Sequence, residues 1–213
     1  MSSRLHILNR IRTALNSAAP YPDDPGDGAL FQPIPASHLV AHFERELTAL
    51  KGEFYCVHNW QDAQDWIKSV IDKNELRRIA IAPDEDVVEV SRPVNPYLLS
   101  GTDDCGKALA DVDLGITGCE CLVARTGSIV LTTHSGFGRV LSVLPPAHMV
   151  VARRSQLFAD LDDAYHLLQT RYHRSWPSMM TIITGPSRTA DIEKALVLGA
   201  HGPKKLFVLL LDF

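Results

Sequence analysis

The chain has 213 residues, a formal net charge of −4 and 46% hydrophobic residues, enough to bury the core of one large domain. The acidic balance excludes the basic stripe of a nucleic-acid binder, and no apolar stretch approaches the ~18 residues needed to cross a bilayer. The first twenty residues lack the continuous apolar core of a secretory leader, so no membrane span and a cytoplasmic location are expected.

Residues 1–17 place Leu5, Leu8, Ile11 and Leu15 at helical spacing and predict an amphipathic helix. Between Ala18 and Pro35 stand five prolines, Gly26, Gly28 and three aspartates, a composition that predicts an extended linker. Residues 1–35 are therefore expected to form an arm and linker, and residues 36–213 a separate domain. Ser37 is placed to cap a helix running to Lys51, with Leu39, Val40, Phe43, Leu47 and Leu50 on one face. A strand is expected over Glu53–Val57, a helix over Trp60–Ile71 and a short buried strand over Arg78–Ala82.

Residues 110–153 are richer in strand signals. Cys121–Ala124 and Ser128–Thr132 flank Arg125-Thr126-Gly127 as a hairpin would. A helix is expected over Leu157–Tyr172. The chain then closes with a parallel strand at Thr181–Thr184, a helix starting near Ser187–Thr189 and a last apolar strand. Alternating units with a β-rich insertion predict an α/β fold around a largely parallel sheet.

Three loops offer chemistry. The segment Thr184-Gly185-Pro186-Ser187-Arg188-Thr189 combines a flexible backbone, hydroxyls and a cation at an expected helix start, which suits a phosphate or carboxylate. His134-Ser135-Gly136-Phe137-Gly138-Arg139 offers a second set of amides with Ser135 and Arg139, without a Walker pattern. Glu120 begins an apolar strand; a solvated carboxylate is the simpler reading, and a base or nucleophile the functional one. His148 and His201, beside Gly202, are candidate acid–base groups, although a single loop histidine is more often structural. The cysteines Cys56, Cys105, Cys119 and Cys121 form no Cys-x-x-Cys pair, so buried thiols and no metal site are expected.

The stretches DLGITGCECLVARTGSIVL, GRVLSVLPPAHMVV and TGPSRTADIEKALVLGAHGPKKLFVLLLD, with ILNRIRTAL near the start, resemble the LUD-domain family in its lactate utilisation protein C branch. The resemblance implies a three-layer fold like that of ribose-5-phosphate isomerase, glucosamine-phosphate deaminase and CoA transferases. It also implies a part in oxidising L-lactate to pyruvate beside partner subunits that carry iron–sulfur clusters, with no cofactor on this chain. Matching positions include Gly115, Thr117, Gly118, Thr126, Gly127, Arg139, His148, Thr184, Gly185, Ser187, Thr189, Asp191, Gly199, His201 and Gly202. Arg125 departs from the glutamate usual in the family, at a turn expected to face the pocket, which leaves Glu120 as the preferred carboxylate.

Two readings follow. One is an accessory protein or subunit of a lactate-oxidising system that binds a small anionic ligand, with homo-oligomer formation open. The other is a freestanding enzyme for a phosphorylated or CoA-linked substrate, motivated by Arg125, Arg139 and Arg188 converging on one pocket.

Overall fold

The structure is a computed structural model that describes residues 3–16, 31–98, 109, 111–135, 140–189, 197–198 and 202–213. The chain divides into two compact units, Met1–Gln32 and Pro33–Phe213. In the first, helix α1 spans Ser3–Leu15, and its Leu5, Ile7, Leu8 and Ile11 are exposed.

The second unit is built on six parallel strands. They are β1 (Glu53–Val57), β2 (Ile79–Ile81), β3 (Tyr97–Leu98), β4 (Leu114–Thr117), β7 (Ala147–Arg153) and β12 (Lys205–Leu211). Their order across the sheet is β1-β12-β7-β4-β2-β3, and every neighbouring pair is parallel. Such a sheet is covered on both faces, which explains why β12 reads as the unbroken apolar run KLFVLLL.

The alternation of side chains along β12 separates two cores. Phe207, Leu209 and Leu211 pack with Ile67 and Val70 of α3 (Trp60–Lys73) and Val87 and Val90 of α4 (Glu85–Ser91). Leu206, Val208 and Leu210 pack on the opposite side with Phe43 and Leu47 of α2 (Leu39–Ala49). Both α3 and α4 start where a side chain satisfies free amides: Asn59 accepts from Asp62 N at 2.8 Å, and Asp84 from Asp86 N at 3.0 Å. Ser37 does not cap α2; it lies in a 3-10 turn, Ala36–His38, that leads into the helix.

The expected β-rich insertion is a second sheet, ordered β8 (Leu157–Phe158), β5 (Cys121–Val123), β6 (Ser128–Thr132) and β9 (Met180–Ile183). Strands β5 and β6 form the predicted hairpin. The inner face of this sheet, with Leu122, Ile129 and Leu131, joins the α2 core. Its outer face, with Cys121, Val123 and Val130, is covered by Ala164 and Leu168 of α5 (Leu161–Tyr172).

Three expectations are corrected. Thr181–Ile183 belongs to β9, which pairs antiparallel with β6 and not within the parallel sheet, from Ile129↔Ile183 to Thr132↔Met180. Leu157 does not begin a helix; it pairs with Leu122, and α5 starts only after Asp160. Arg188 and Thr189 form β10 and pair antiparallel with β11 (Val197–Leu198), so they are not the first turn of a helix. Among the described residues, no helix is long and apolar enough to cross a membrane.

Candidate functional site

A cleft of about 250 Å³ opens between the two sheets of the second unit. One wall is the end of β9 and the turn Thr184–Ser187; the other holds Ser142, His148, Leu206 and Gly202. His148 and Leu206 are register partners, each the second residue of its strand. The cleft therefore sits at the amino-terminal ends of β7 and β12. Open parallel sheets more often bind ligands at the carboxyl edge. The reason for the difference is β9, which belongs to the second sheet and brings its following turn to the opposite edge.

His148 is fully buried. Thr117 Oγ1 on β4 lies 2.9 Å from its Nε2, while its Nδ1 has no hydrogen-bond partner among the described residues. Burial penalises the imidazolium and pushes the pKa down from 6.5 to about 3. The ring is therefore neutral near pH 7, which suits hydrogen bonding to a ligand better than uptake of a proton. The register explains its neighbour Gly115: a Cβ there would collide with the Leu141 carbonyl oxygen.

The opposite wall carries hydroxyls. Thr181, Thr184 and Ser187 line it, and Thr184 is backed by a hydroxyl chain outside the lining, 2.8 Å to Ser128 and 2.7 Å on to Thr126. Gly185 has φ +84, a conformation that favours glycine. Arg188 is exposed and does not itself line the cleft; its Nη2 lies 3.2 Å from where a Cβ on Gly185 would stand, on the side of Gly185 that faces Leu50. Ser187 is pinned by its amide, which donates to the Pro203 carbonyl at 2.9 Å, and it faces Gly202. Gly127 does not reach the cleft. It has φ +61 and lies against α2, where a Cβ would stand 2.5 Å from Leu47 N.

Two candidate residues are engaged elsewhere. Glu120 is 2% exposed, not solvated as a strand end. It accepts from Thr132 Oγ1 at 2.6 Å and Tyr172 Oη at 2.8 Å, and it is ion-paired with Arg171. Burial raises its pKa, but these three donors outweigh that effect and hold it below the usual carboxylate value. Ser135 belongs to the same cluster, its Oγ accepting from Thr132 N at 3.0 Å. Arg125 is held by Asp160 at the start of α5, one of its contacts being Nη2 to Oδ2 at 3.0 Å. Neither Glu120 nor Arg125 lines the cleft.

Gly136, Gly138, Arg139, Asp191, Gly199 and His201 lie outside the described residues, and Thr189 is described only in its backbone. Sequence reasoning overlooked Ser142, which lines the cleft, and Arg171 and Tyr172, which fix Glu120. Ser142 carries no motif signal. Arg171 and Tyr172 close the α5 pattern, where an arginine reads as an ordinary favourable helix end.

Comparisons with known proteins give a consistent picture. The chain is 26% identical to an uncharacterised protein of Neisseria meningitidis serogroup B over 225 residues, covering 98% of this chain and 93% of that protein. It is 32% identical to lactate utilization protein C of Anoxybacillus flavithermus, covering 83% of this chain and 81% of the relative. A crystal structure of a DUF162 family protein from Deinococcus radiodurans matches with a TM-score of 0.65 at 20% identity, covering 84% of this chain and 99% of that one. That likeness supports the α/β fold. The family model of the LUD domain matches residues 40–211, which takes in both sheets and the whole cleft: the chain belongs to the LUD domain family.

Proposed function

We propose that this chain serves a lactate-utilisation system and that the cleft at His148 takes a small anionic ligand, a carboxylate being the best match. The system role rests on the Anoxybacillus relative, named lactate utilization protein C, whose similarity runs over most of both chains. The observation that carries the ligand reading is His148, a fully buried residue of the cleft lining whose Nδ1 has no hydrogen-bond partner among the described residues. A buried polar atom without a partner is costly, and a ligand that pairs with it removes the cost. The Arg188 guanidinium beside Gly185 adds positive charge near the cleft, and about 250 Å³ suits a molecule of a few heavy atoms.

In this reading the chain is an accessory component, and iron–sulfur clusters sit in partner subunits and not here. The free thiols Cys56, Cys119 and Cys121 fit a reducing cytoplasm. The alternative of a freestanding enzyme for a phosphorylated or CoA-linked substrate loses one of its motives, because Arg125 is committed to Asp160.

The test has two arms. Thermal melts are recorded with L-lactate, pyruvate and inorganic phosphate, for the native chain and for Ser187→Leu, which fills the mouth opposite Gly202. A carboxylate should raise the native Tm and leave the variant unmoved; no rise at millimolar concentration removes the ligand reading. Separately, deletion of the gene should impair growth on lactate, and the tagged protein should retain cluster-bearing subunits. Normal growth together with no retained partner removes the system role.

A further inference from the structure

At the carboxyl edge of the parallel sheet, opposite the cleft, three potential metal ligands meet. Cys56 is the fourth residue of β1, His58 follows its last residue, and Asp212 follows the last residue of β12. Cys56 and His58 are two apart, so they leave β1 on the same side. Register sets Asp212 beside them: Val57 pairs with Leu211, and Asp212 N donates to the Val57 carbonyl at 2.9 Å. One ligand atom from each residue lies within 4.8 Å of the others, and His58 Nδ1 stands 3.8 Å from Asp212 Oδ2.

We infer that Cys56, His58 and Asp212 form a site for a zinc-class divalent cation, three protein ligands with the remaining position open to solvent. The donor set argues for that class. A thiolate, an imidazole nitrogen and a carboxylate oxygen are all zinc ligands, whereas magnesium and calcium sites are built from oxygen. Ligand atoms around a tetrahedral zinc stand about 3.5 Å apart, given bonds of roughly 2.0–2.3 Å. The gap from His58 to Asp212 is already close to that, and His58 Nδ1, on a side chain 72% exposed, also lies 3.4 Å from the Asp212 carbonyl oxygen. The two strand ends are fixed by ladder hydrogen bonds. Phe213, next to Asp212, packs edge-on against Trp60 at 5.0 Å, at the start of α3. Outside the three ligands, the charged groups that act on Cys56 are Glu44 and Arg154. Open coordination distinguishes this arrangement from the closed four-ligand sites that only hold a fold together.

The experiment uses the full chain, reduced, stripped with chelator and titrated with cobalt(II) and then zinc(II). One cobalt per chain should bind with a thiolate-to-cobalt charge-transfer absorption, and zinc should displace it. Cys56→Ser should abolish the absorption, and His58→Ala and Asp212→Asn should each weaken zinc binding by about tenfold or more. No thiolate absorption in the native chain, or an absorption that persists in Cys56→Ser, overturns the site. If Cys56→Ser does not fold, His58→Ala decides: its side chain is largely exposed, and unchanged zinc affinity in that variant also overturns the proposal.

Discussion

Thr117 and His148 are fully buried on neighbouring strands, with 2.9 Å between the hydroxyl oxygen and Nε2, and this contact fixes the ring at the base of the cleft. The pairing has a pH signature. An unfolded chain protonates this ring near 6.5, the folded chain only near 3. Stability from keeping it neutral is complete above 6.5 and is lost as pH falls toward 3, at about 1.4 kcal/mol per unit. Denaturant titrations at pH 7 and pH 5 should show a loss for the native chain that is about 2 kcal/mol larger than for His148→Gln. Equal losses in both proteins would sink the assignment.

The Glu120 cluster predicts coupled, not additive, effects. Arg171→Met leaves a buried carboxylate short of its cation and should cost about 2–4 kcal/mol at neutral pH, discounted because Arg171 is itself half-exposed. The native Glu120 pKa lies below its ordinary value, so the cluster's stability is present above that value and fades as pH drops through the folded pKa. Adding Glu120→Gln to Arg171→Met should recover about 1–2 kcal/mol, since no charge is then stranded. Unfolding free energies of the two single variants and the double variant complete the cycle; strict additivity would contradict it.

At the β5–β6 hairpin, the backbone sets the limit. Gly127→Ala forces a side chain into φ +61 and against the amide of Leu47, and should destabilise the chain by about 2 kcal/mol or more. Gly202 has ordinary backbone geometry, with 3.2 Å from a built Cβ to Ser187 Cβ. Gly202→Ala should therefore cost less than Gly127→Ala in calorimetry, and a reversed order would refute this reading of the two glycines.

Arg188 is exposed, so its removal should barely change stability. Arg188→Ala should nevertheless weaken carboxylate binding at the cleft about fivefold, the effect of roughly 1 kcal/mol from one solvent-screened charge. Titration calorimetry with the carboxylate that stabilises the native protein measures the change. Undiminished affinity would place the cation outside the binding interaction.

Much of the fold was legible because burial writes itself into periodicity. Strand β12 announces a two-sided buried position as a run of apolar residues, and α3 shows its inward face at Ala63, Ile67, Val70 and Ile71. Pairing partners were harder to read. The segment at Thr181 is apolar and short, a pattern that serves equally for a parallel strand or the antiparallel strand it forms with β6. The cleft lining was legible at Thr184, Gly185, Ser187 and Gly202, which stand in two glycine-containing loops. Glu120 misleads because its counter-charge comes from Arg171, far along the chain. Cys56 reads in the sequence only as a thiol without a metal partner, because Asp212 reaches Cys56 and His58 only through the ladder between β1 and β12.

The position of β12 also shapes how the molecule is made. It is synthesised after every other described strand, yet it lies between β1 and β7 and bonds to both. While the nascent chain leaves the ribosome, β1 has no neighbour in its own sheet, and the apolar edge of β7 stays uncovered. Assembly must wait for the final strand to slide between them, a slow, non-local closure that exposes the growing chain to chaperones and to misassociation.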